Sequence, residues 1–317
     1  MKNNRLILGI DTSNYTTSVA ILTLDGTLVA NLKRPLKVKE GERGLRQSDA
    51  LFSHTVNLPS LMNEASEYLK DYEVVAIGVS EKPRNVEGSY MPCFLAGVAS
   101  AESISATMGI PLYKFSHQCG HIMAALYSSE NFDLLYKEFG AFHISGGTTE
   151  LVRVSPDERG FKTELIGGTA DLNAGQVVDR IGVYLGMPFP AGPHLEAVAL
   201  TNDKKIPKKK ISINGMTVNL SGLENMAIKL YSETEDKALV GAFVFDYIGR
   251  AVSGMIDAYK GVYGEGKMIL AGGVMCNRII KDMLLAKYDV SFAEPALSAD
   301  NAVGIAALAR RAYLSEN

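Results

Sequence analysis

Residues 6–22, LILGIDTSNYTTSVAIL, decide the fold class. Two apolar runs flank a polar turn, Asp11-Thr12-Ser13, the pattern of a β-hairpin with buried strands and small hydroxyl and carboxylate groups at its bend. Asp25-Gly26 turns the chain into a third strand, Thr27 to Leu32. After the polar loop Glu40 to Gly44, a helical period runs from about Asp49 to Leu69, with Leu51, Val56, Leu58, Leu61 and Met62 on or near one face. Val74 to Val79 reads as a buried strand, Cys93 to Met108 as a helix of small residues, and Pro111 to Phe115 as a strand. The order β-β-β-α-β-α-β is one complete α/β lobe.

The second half repeats that order. Phe139 to Ile144, Leu151 to Val154 and Phe161 to Ile166 read as strands, with Ser145-Gly146-Gly147-Thr148-Thr149 as the first turn. A helix from about Leu172 to Leu185 and a long one between Lys237 and Tyr263 follow. Lys267 to Ala271 is a strand, Gly272-Gly273 a turn, Val274 to Ala286 a helix and Val290 to Phe292 a last strand. Asp300 opens a terminal helix. Two copies of one topology predict a duplicated fold with a cleft between lobes.

At 317 residues the chain exceeds what one hydrophobic core usually serves. With 47% hydrophobic and 21% charged residues it is globular in composition, and its net charge of −3 argues against indiscriminate coating of nucleic acid. Cys93, Cys119 and Cys276 are far apart and lack CxxC spacing, which suits a reducing compartment. No signal peptide or membrane span is apparent, so a cytoplasmic location is expected.

Between the two lobe patterns lies His117-Gln118-Cys119-Gly120-His121. On a helix, the two imidazoles would share a face and could bind one divalent metal. A helix cap and a surface side chain remain the alternative. The turns Asp11-Thr12-Ser13 and Ser145 to Thr149 fall at the same topological point in each half. Facing each other, such turns could hold phosphate oxygens from both sides, with glycines allowing close backbone approach. The loop Ala271 to Arg278 joins a buried strand to a helix and can admit a nucleoside, with Asn277 supplying directional hydrogen bonds. Asp203 to Lys210 places five lysines in eight residues, either a solvated loop or a contact to an RNA backbone.

The hairpin GIDTSNYTTSVAIL, the pair HQCGH, the loop HISGGTTELVRV, the segment DLNAGQVVDRIGVYLGMPFPAGP, the phrase NLSGLE, the loop AGGVMCNR and the ending SADNAVGIAALA occur in the order and spacing of the TsaD family, which the chain resembles over nearly its whole length. That family was formerly described as O-sialoglycoprotein endopeptidase or glycoprotease. The resemblance implies an α/β fold of the duplicated actin-like (ASKHA, RNase H-like) kind. Its lobes would span 1–116 and 117–317, with the helix from about 300 packing back on the first. It implies transfer of a threonylcarbamoyl group from an adenylate to tRNA adenosine. It makes His117, His121 and Asp300 the metal ligands, for iron or zinc, with ATP or an acyl-adenylate as cofactor and magnesium a further candidate. Ser13, Ser145, Gly146, Gly147, Thr148 and Thr149 would lie at the phosphates, Asp179 and Gly192 at the ribose, and Gly272, Gly273 and Asn277 at the nucleoside. Asp11 would be the catalytic carboxylate.

The chain also departs from the family pattern. Tyr15-Thr16 stands where GIETSCDET has an acidic pair, Cys119 replaces the glutamate of HxEGH, and Gly222-Leu223-Glu224-Asn225 lacks the lysine of GLKT. These differences keep two alternatives open: a nucleotide-binding paralogue acting as a partner subunit beside a TsaB-like or TsaD-like protein, and a carbamoyltransferase with another acceptor. A homodimer is a further possible assembly. A metalloprotease ranks last, since Gln118 stands where the HExxH glutamate would be.

Overall fold

The computed structural model describes residues 4–13, 15–37, 45–158, 160–298 and 300–317, so the loop read at 40–44 lies outside the described residues. The chain divides into two compact units, one of 1–138, 155–163 and 296–317, the other of 139–154 and 164–295. The helix that carries the histidine pair therefore belongs to the first unit, beyond the 116/117 boundary expected from sequence, and the terminal helix belongs there too.

Unit 1 is built on a five-stranded sheet in the order β3-β2-β1-β4-β5. Its strands are β1 (Arg5–Asp11), β2 (Thr16–Thr23), β3 (Leu28–Pro35), β4 (Glu73–Lys82) and β5 (Leu112–Ser116), and its helices include α1 (Gln47–Leu69), α2 (Phe94–Met108) and α3 (His117–Ser128). The alternation along β1 explains why both sheet faces are covered. Leu6, Leu8 and Ile10 join Leu58, Leu61 and Ala65 of α1 and Ala101 of α2. Ile7 on the opposite face joins Ala309, Ala312 and Tyr313 of the terminal helix α10 (Val303–Glu316). Each such aliphatic side chain gains about 1.5–3 kcal/mol from burial. The glycines of β1 and β4 let α10 lie close: a Cβ on Gly9 would meet the Ala302 carbonyl oxygen at 2.7 Å, and one on Gly78 the Ile305 carbonyl oxygen at 2.7 Å.

Unit 2 has a seven-stranded sheet in the order β12-β11-β6-β7-β8-β10-β9. Its strands are β6 (Phe139–Ile144), β7 (Thr149–Asp157), β8 (Gly160–Thr169), β9 (Ser212–Asn214), β10 (Thr217–Asn219), β11 (Met268–Ala271) and β12 (Val290–Phe292). The segment β8-β7-β6-β11-β12 repeats the order β3-β2-β1-β4-β5 of unit 1, so the duplication read from the sequence is present, with β10 and β9 added beyond β8. The helices are α4 (Ala174–Tyr184), α5 (Gly192–Ala199), α6 (Ser221–Thr234), α7 (Lys237–Tyr263), α8 (Arg278–Leu285) and the single turn α9 (Pro295–Ser298). Helix α7 is long and apolar enough to cross a bilayer by length and composition alone, yet most of that apolar window is buried. Phe243, Tyr247 and Ile248 of α7 share a core with Val177 and Ile181 of α4 and Phe142 of β6.

Two local readings differ from the sequence expectation. Helices α5 and α6 were not anticipated, and a β9-β10 hairpin lies between them. The helix expected over 274–286 is a 3-10 turn, Gly273–Cys276, followed by α8. The break lies at Asn277, whose φ of −63° and ψ of 127° leave the helical region while its side chain accepts the Ile280 N–H at 3.1 Å as an N-cap.

Candidate functional site: a histidine–aspartate cluster and a nucleotide-type bed

Unit 1 brings together His117, His121 and Asp300. Ser116 caps α3 by accepting the Cys119 N–H at 3.2 Å, which starts the helix at His117 and puts His121 one turn further on the same face. Their Nε2 atoms are 2.9 Å apart, and Asp300 Oδ1 lies 3.5 Å from the first and 3.3 Å from the second. Asp300 reaches this position because α10 crosses α3 at two glycines. A Cβ on Gly304 would meet the Gly120 carbonyl oxygen at 1.8 Å, and one on Gly120 would meet the Ile305 side chain at 2.9 Å. The glycine inside HQCGH is therefore required by the approach of the helix that follows Asp300.

The donor set suits a metal. Ligand atoms about 2.1 Å from a metal lie about 3.0 Å apart at right angles and about 3.4 Å apart at tetrahedral angles, the range found among these three atoms. Behind them, Asp11 Oδ2 lies 2.8 Å from His117 Nδ1, the carboxylate–histidine arrangement that fixes the tautomer and turns the Nε2 lone pair outward. The other oxygen of Asp11 accepts the Ser13 N–H at 2.9 Å and the Ser80 hydroxyl at 2.7 Å. Ser80 carries no sequence motif; only the pairing of β4 beside β1 brings it there. Asp11 is thus placed as a support to His117, at 1% exposure.

Burial works against a charged His117, but the Asp11 and Asp300 carboxylates prevail and raise its pKa to about 10. Burial, followed by the charge on His117, lowers His121. Burial alone would raise Asp300 and Asp11, and the imidazoles hold both carboxyls below the usual range. The buried carboxylate of Asp11 and the partly exposed one of Asp300, around two buried imidazoles, form a site whose charge a divalent cation can balance.

Gln118, Cys119 and the first hairpin are committed to other contacts. Gln118 accepts the Thr163 hydroxyl at 3.0 Å, and the Cys119 thiol, pushed up to about 11 by burial, receives the Asn85 amide at 3.3 Å. In the hairpin, the Thr12 hydroxyl donates to the Cys93 carbonyl at 3.0 Å and accepts the Gly97 N–H at 3.1 Å, tying the turn to the start of α2. Thr17 contacts His54 Nδ1 at 2.9 Å, and Ser18 donates to the Asp11 carbonyl. The buried Ser13 hydroxyl oxygen has no hydrogen-bond partner among the described residues.

Unit 2 places Ser145 to Thr149 and Gly272-Gly273 at the ends of β6 and β11, which run parallel. The Ser145 N–H closes the turn on the Thr148 carbonyl at 2.8 Å, and Gly146 and Gly147 are exposed with open space beside them. The start of α4 fits under this turn: Ala174 N–H donates to the Thr149 hydroxyl at 2.9 Å, Asn173 donates to the Gly147 carbonyl at 3.0 Å, and a Cβ on Gly175 would meet the Ser145 carbonyl oxygen at 2.5 Å. Gly272, at φ +99°, lies against Ile144, where a Cβ would meet a carbonyl oxygen at 2.3 Å; only glycine meets both demands. Gly273 is exposed beside it, with open space where a side chain would stand. Asn277 spends its oxygen on the α8 cap, leaving a buried amide nitrogen with no hydrogen-bond partner among the described residues. Asp179 Oδ1 accepts the Ala191 N–H at 2.8 Å, and burial raises its pKa against the opposing bonds from the Ala191 and Gly192 amides. Asp179 and Gly192, 13 residues apart, therefore meet at one turn.

The model of the TsaD family, described as tRNA N6-adenosine threonylcarbamoyltransferase, matches residues 34–307. A protein of that description from Streptococcus suis is 30% identical over 333 residues, covering 100% of this chain and 95% of its own length. A probable bifunctional tRNA threonylcarbamoyladenosine biosynthesis protein of Methanocaldococcus jannaschii is 26% identical, covering 89% of this chain and 49% of its own. Among solved structures, HypF of T. kodakarensis superposes with a TM-score of 0.65 at 12% identity, over 99% of this chain and 48% of that one. The (R)-2-hydroxyglutaryl-CoA dehydratase component A of Acidaminococcus fermentans does so at 0.57 and 14% identity, over 98% and 99%. The fold is that of these actin-like proteins.

Proposed function

The chain belongs to the TsaD family, and on that premise we propose that it transfers a threonylcarbamoyl group from an adenylate to an adenosine of tRNA, using a divalent metal held by His117, His121 and Asp300. The observation that carries this reading is the cluster itself, two buried imidazoles beside the Asp300 carboxylate, with Asp11 bonded to the far nitrogen of His117. Iron or zinc suits two imidazoles and a carboxylate. Held by these residues, such a metal would supply a Lewis acid able to orient a substrate carboxylate or phosphate oxygen. Asp11 holds the imidazole in the tautomer that binds, and Ser80 holds Asp11. In unit 2, the open Gly146-Gly147 turn suits phosphate oxygens, the Asn277 amide is a ready donor to a nucleoside, and Asp179 suits ribose hydroxyls.

A TsaB-like or TsaD-like partner, or a second copy of this chain, belongs to the same reading. Phe52 and Val56, one turn apart on α1, are 71% and 58% exposed, an apolar pair on the helix surface that a partner could cover. A cytoplasmic location belongs to the same reading, since Cys93, Cys119 and Cys276 form no disulfide among the described residues. The test is incubation with tRNA, threonine, bicarbonate, ATP and the adenylate-forming enzyme, followed by mass spectrometry of the nucleosides. Threonylcarbamoyladenosine is expected. Its absence from a preparation that binds metal and nucleotide would overturn the transfer and leave the partner-subunit or other-acceptor alternative.

A further inference from the structure

Five lysines between Lys204 and Lys210 take no part in either site described above. The segment from Asp203 to Ile211 has no regular secondary structure, yet it is strapped to unit 2 at several points. Ile206 and Ile211 pack on the core around α7. Lys204 pairs with Asp236 at 2.6 Å, and Asn202 donates to the Lys204 carbonyl at 2.8 Å. Lys208 reaches the carboxylate of Asp246, which is 3% exposed and also accepts Arg250 Nε at 2.8 Å. Arg250 then donates to the Lys209 carbonyl at 2.8 Å, and the Tyr247 hydroxyl reaches the Lys210 carbonyl at 3.4 Å.

These ties sort the lysines by role. Lys204 and Lys208 hold the strap down, and their charges are met by carboxylates. Lys205, Lys209 and Lys210 are exposed and form no ion pair among the described residues. A merely solvating charged loop gains nothing from being fixed, and ordering its backbone costs about 1–2 kcal/mol per residue. Here the backbone is fixed while the three outward charges are left unmatched. Counting Arg250, six cations meet the three carboxylates of Asp203, Asp236 and Asp246, a local surplus of positive charge in a chain whose net charge is −3.

We propose that the 204–210 strap is a contact surface for the phosphodiester backbone of RNA, made by Lys205, Lys209 and Lys210. The inference rests on the proposed use of tRNA and adds where its backbone is held. No aromatic residue lies in the strap, so it has no platform for stacking bases, and ammonium groups meet phosphates without reading sequence. The surface positions the nucleic acid and leaves recognition of the target adenosine to other groups.

The test uses the full chain and an in vitro transcribed tRNA, with binding followed by fluorescence anisotropy between about 50 and 200 mM salt. Changing Lys205, Lys209 and Lys210 together to alanine is expected to lower affinity about tenfold or more and to flatten the slope of log affinity against log salt by about 2–3. The corresponding arginine triple should retain binding, and ATP affinity measured by calorimetry should match the wild type in both variants. Wild-type affinity and slope in the alanine triple, or no tRNA binding by the wild type at low salt, would overturn the proposal. So would loss of binding to poly-glutamate with tRNA binding unchanged, which would assign the strap to an acidic protein surface. If the alanine triple binds tRNA normally and still forms threonylcarbamoyladenosine, only the strap proposal fails. If strap-dependent binding persists and the wild type modifies no adenosine, the functional reading fails instead.

Discussion

The β1-β2 hairpin of unit 1 and the β6-β7 hairpin of unit 2 occupy the same place in two copies of one topology, and they have become chemically opposite. In the first, Asp11 accepts from His117, Ser13 and Ser80, and Thr12 is bonded to Cys93 and Gly97. In the second, Gly146 and Gly147 stand exposed above the start of α4. Polar residue types at a turn do not tell which way they will be used. A buried turn must find partners inside the protein for its polar groups, since an unsatisfied one costs about 1–3 kcal/mol. An exposed turn keeps its N–H groups for a ligand. The first hairpin serves as a wall behind the histidines, and the second remains a bed.

The sharpest way to break this comparison is to remove the histidines the first hairpin supports. The double change His117→Ala and His121→Ala should abolish bound metal by elemental analysis while calorimetry still registers nucleotide binding; unchanged metal content would refute the ligand assignment. Next in size is Gly304→Ala, which forces a methyl group into the α3 crossing. It should destabilise the protein by about 1–3 kcal/mol or more in denaturant unfolding and weaken metal retention, and a neutral result would mean that the crossing can relax. On the side of the open hairpin, Asp179→Ala should weaken ATP binding by about 1.5–3 kcal/mol, the scale of a charge-assisted hydrogen bond. Unchanged affinity would remove Asp179 from the ribose role.

The smallest effect concerns the footing of that bed. Asp171 precedes Asn173 and accepts the N–H groups of Leu172, Leu220 and Ser221 and the Ser221 hydroxyl. Burial opposes its charge, but these bonds lower its pKa from 3.8 to about 2. Its contribution is therefore present above pH 3.8 and is lost as pH falls toward 2. An Asp171→Asn variant should be slightly less stable than the wild type at neutral pH, with the gap closing over that window. A gap independent of pH would show that the hydrogen-bond geometry, and not the charge, matters.

Much of this was legible in the residues. The duplicated order of strands followed from apolar runs punctuated by Asp-Gly and Gly-Gly turns, because short-range alternation reports burial directly. The spacing of His117 and His121 followed from helical periodicity. Helices α5 and α6 were missed where Pro and Gly at the start of one, and polar residues along the other, blur the period. The break at Asn277 was missed because a cap is a matter of backbone dihedrals. The contacts of Asp11 also lay beyond the reach of the sequence, since its partners are 69 and 106 residues away.

By itself, the sequence determined the fold class and the family and singled out the candidate groups for a metal and a nucleotide, because these follow from motifs and local order along the chain. Tertiary structure alone decided what those groups do to one another. The α10 helix brings Asp300 to the histidines by crossing at two glycines, β4 carries Ser80 to Asp11, and α4 slides beneath the Ser145 turn over Gly175. Each of these depends on contacts between segments distant in the chain, where distances of a few ångströms are set by packing and by the need to satisfy buried polar atoms.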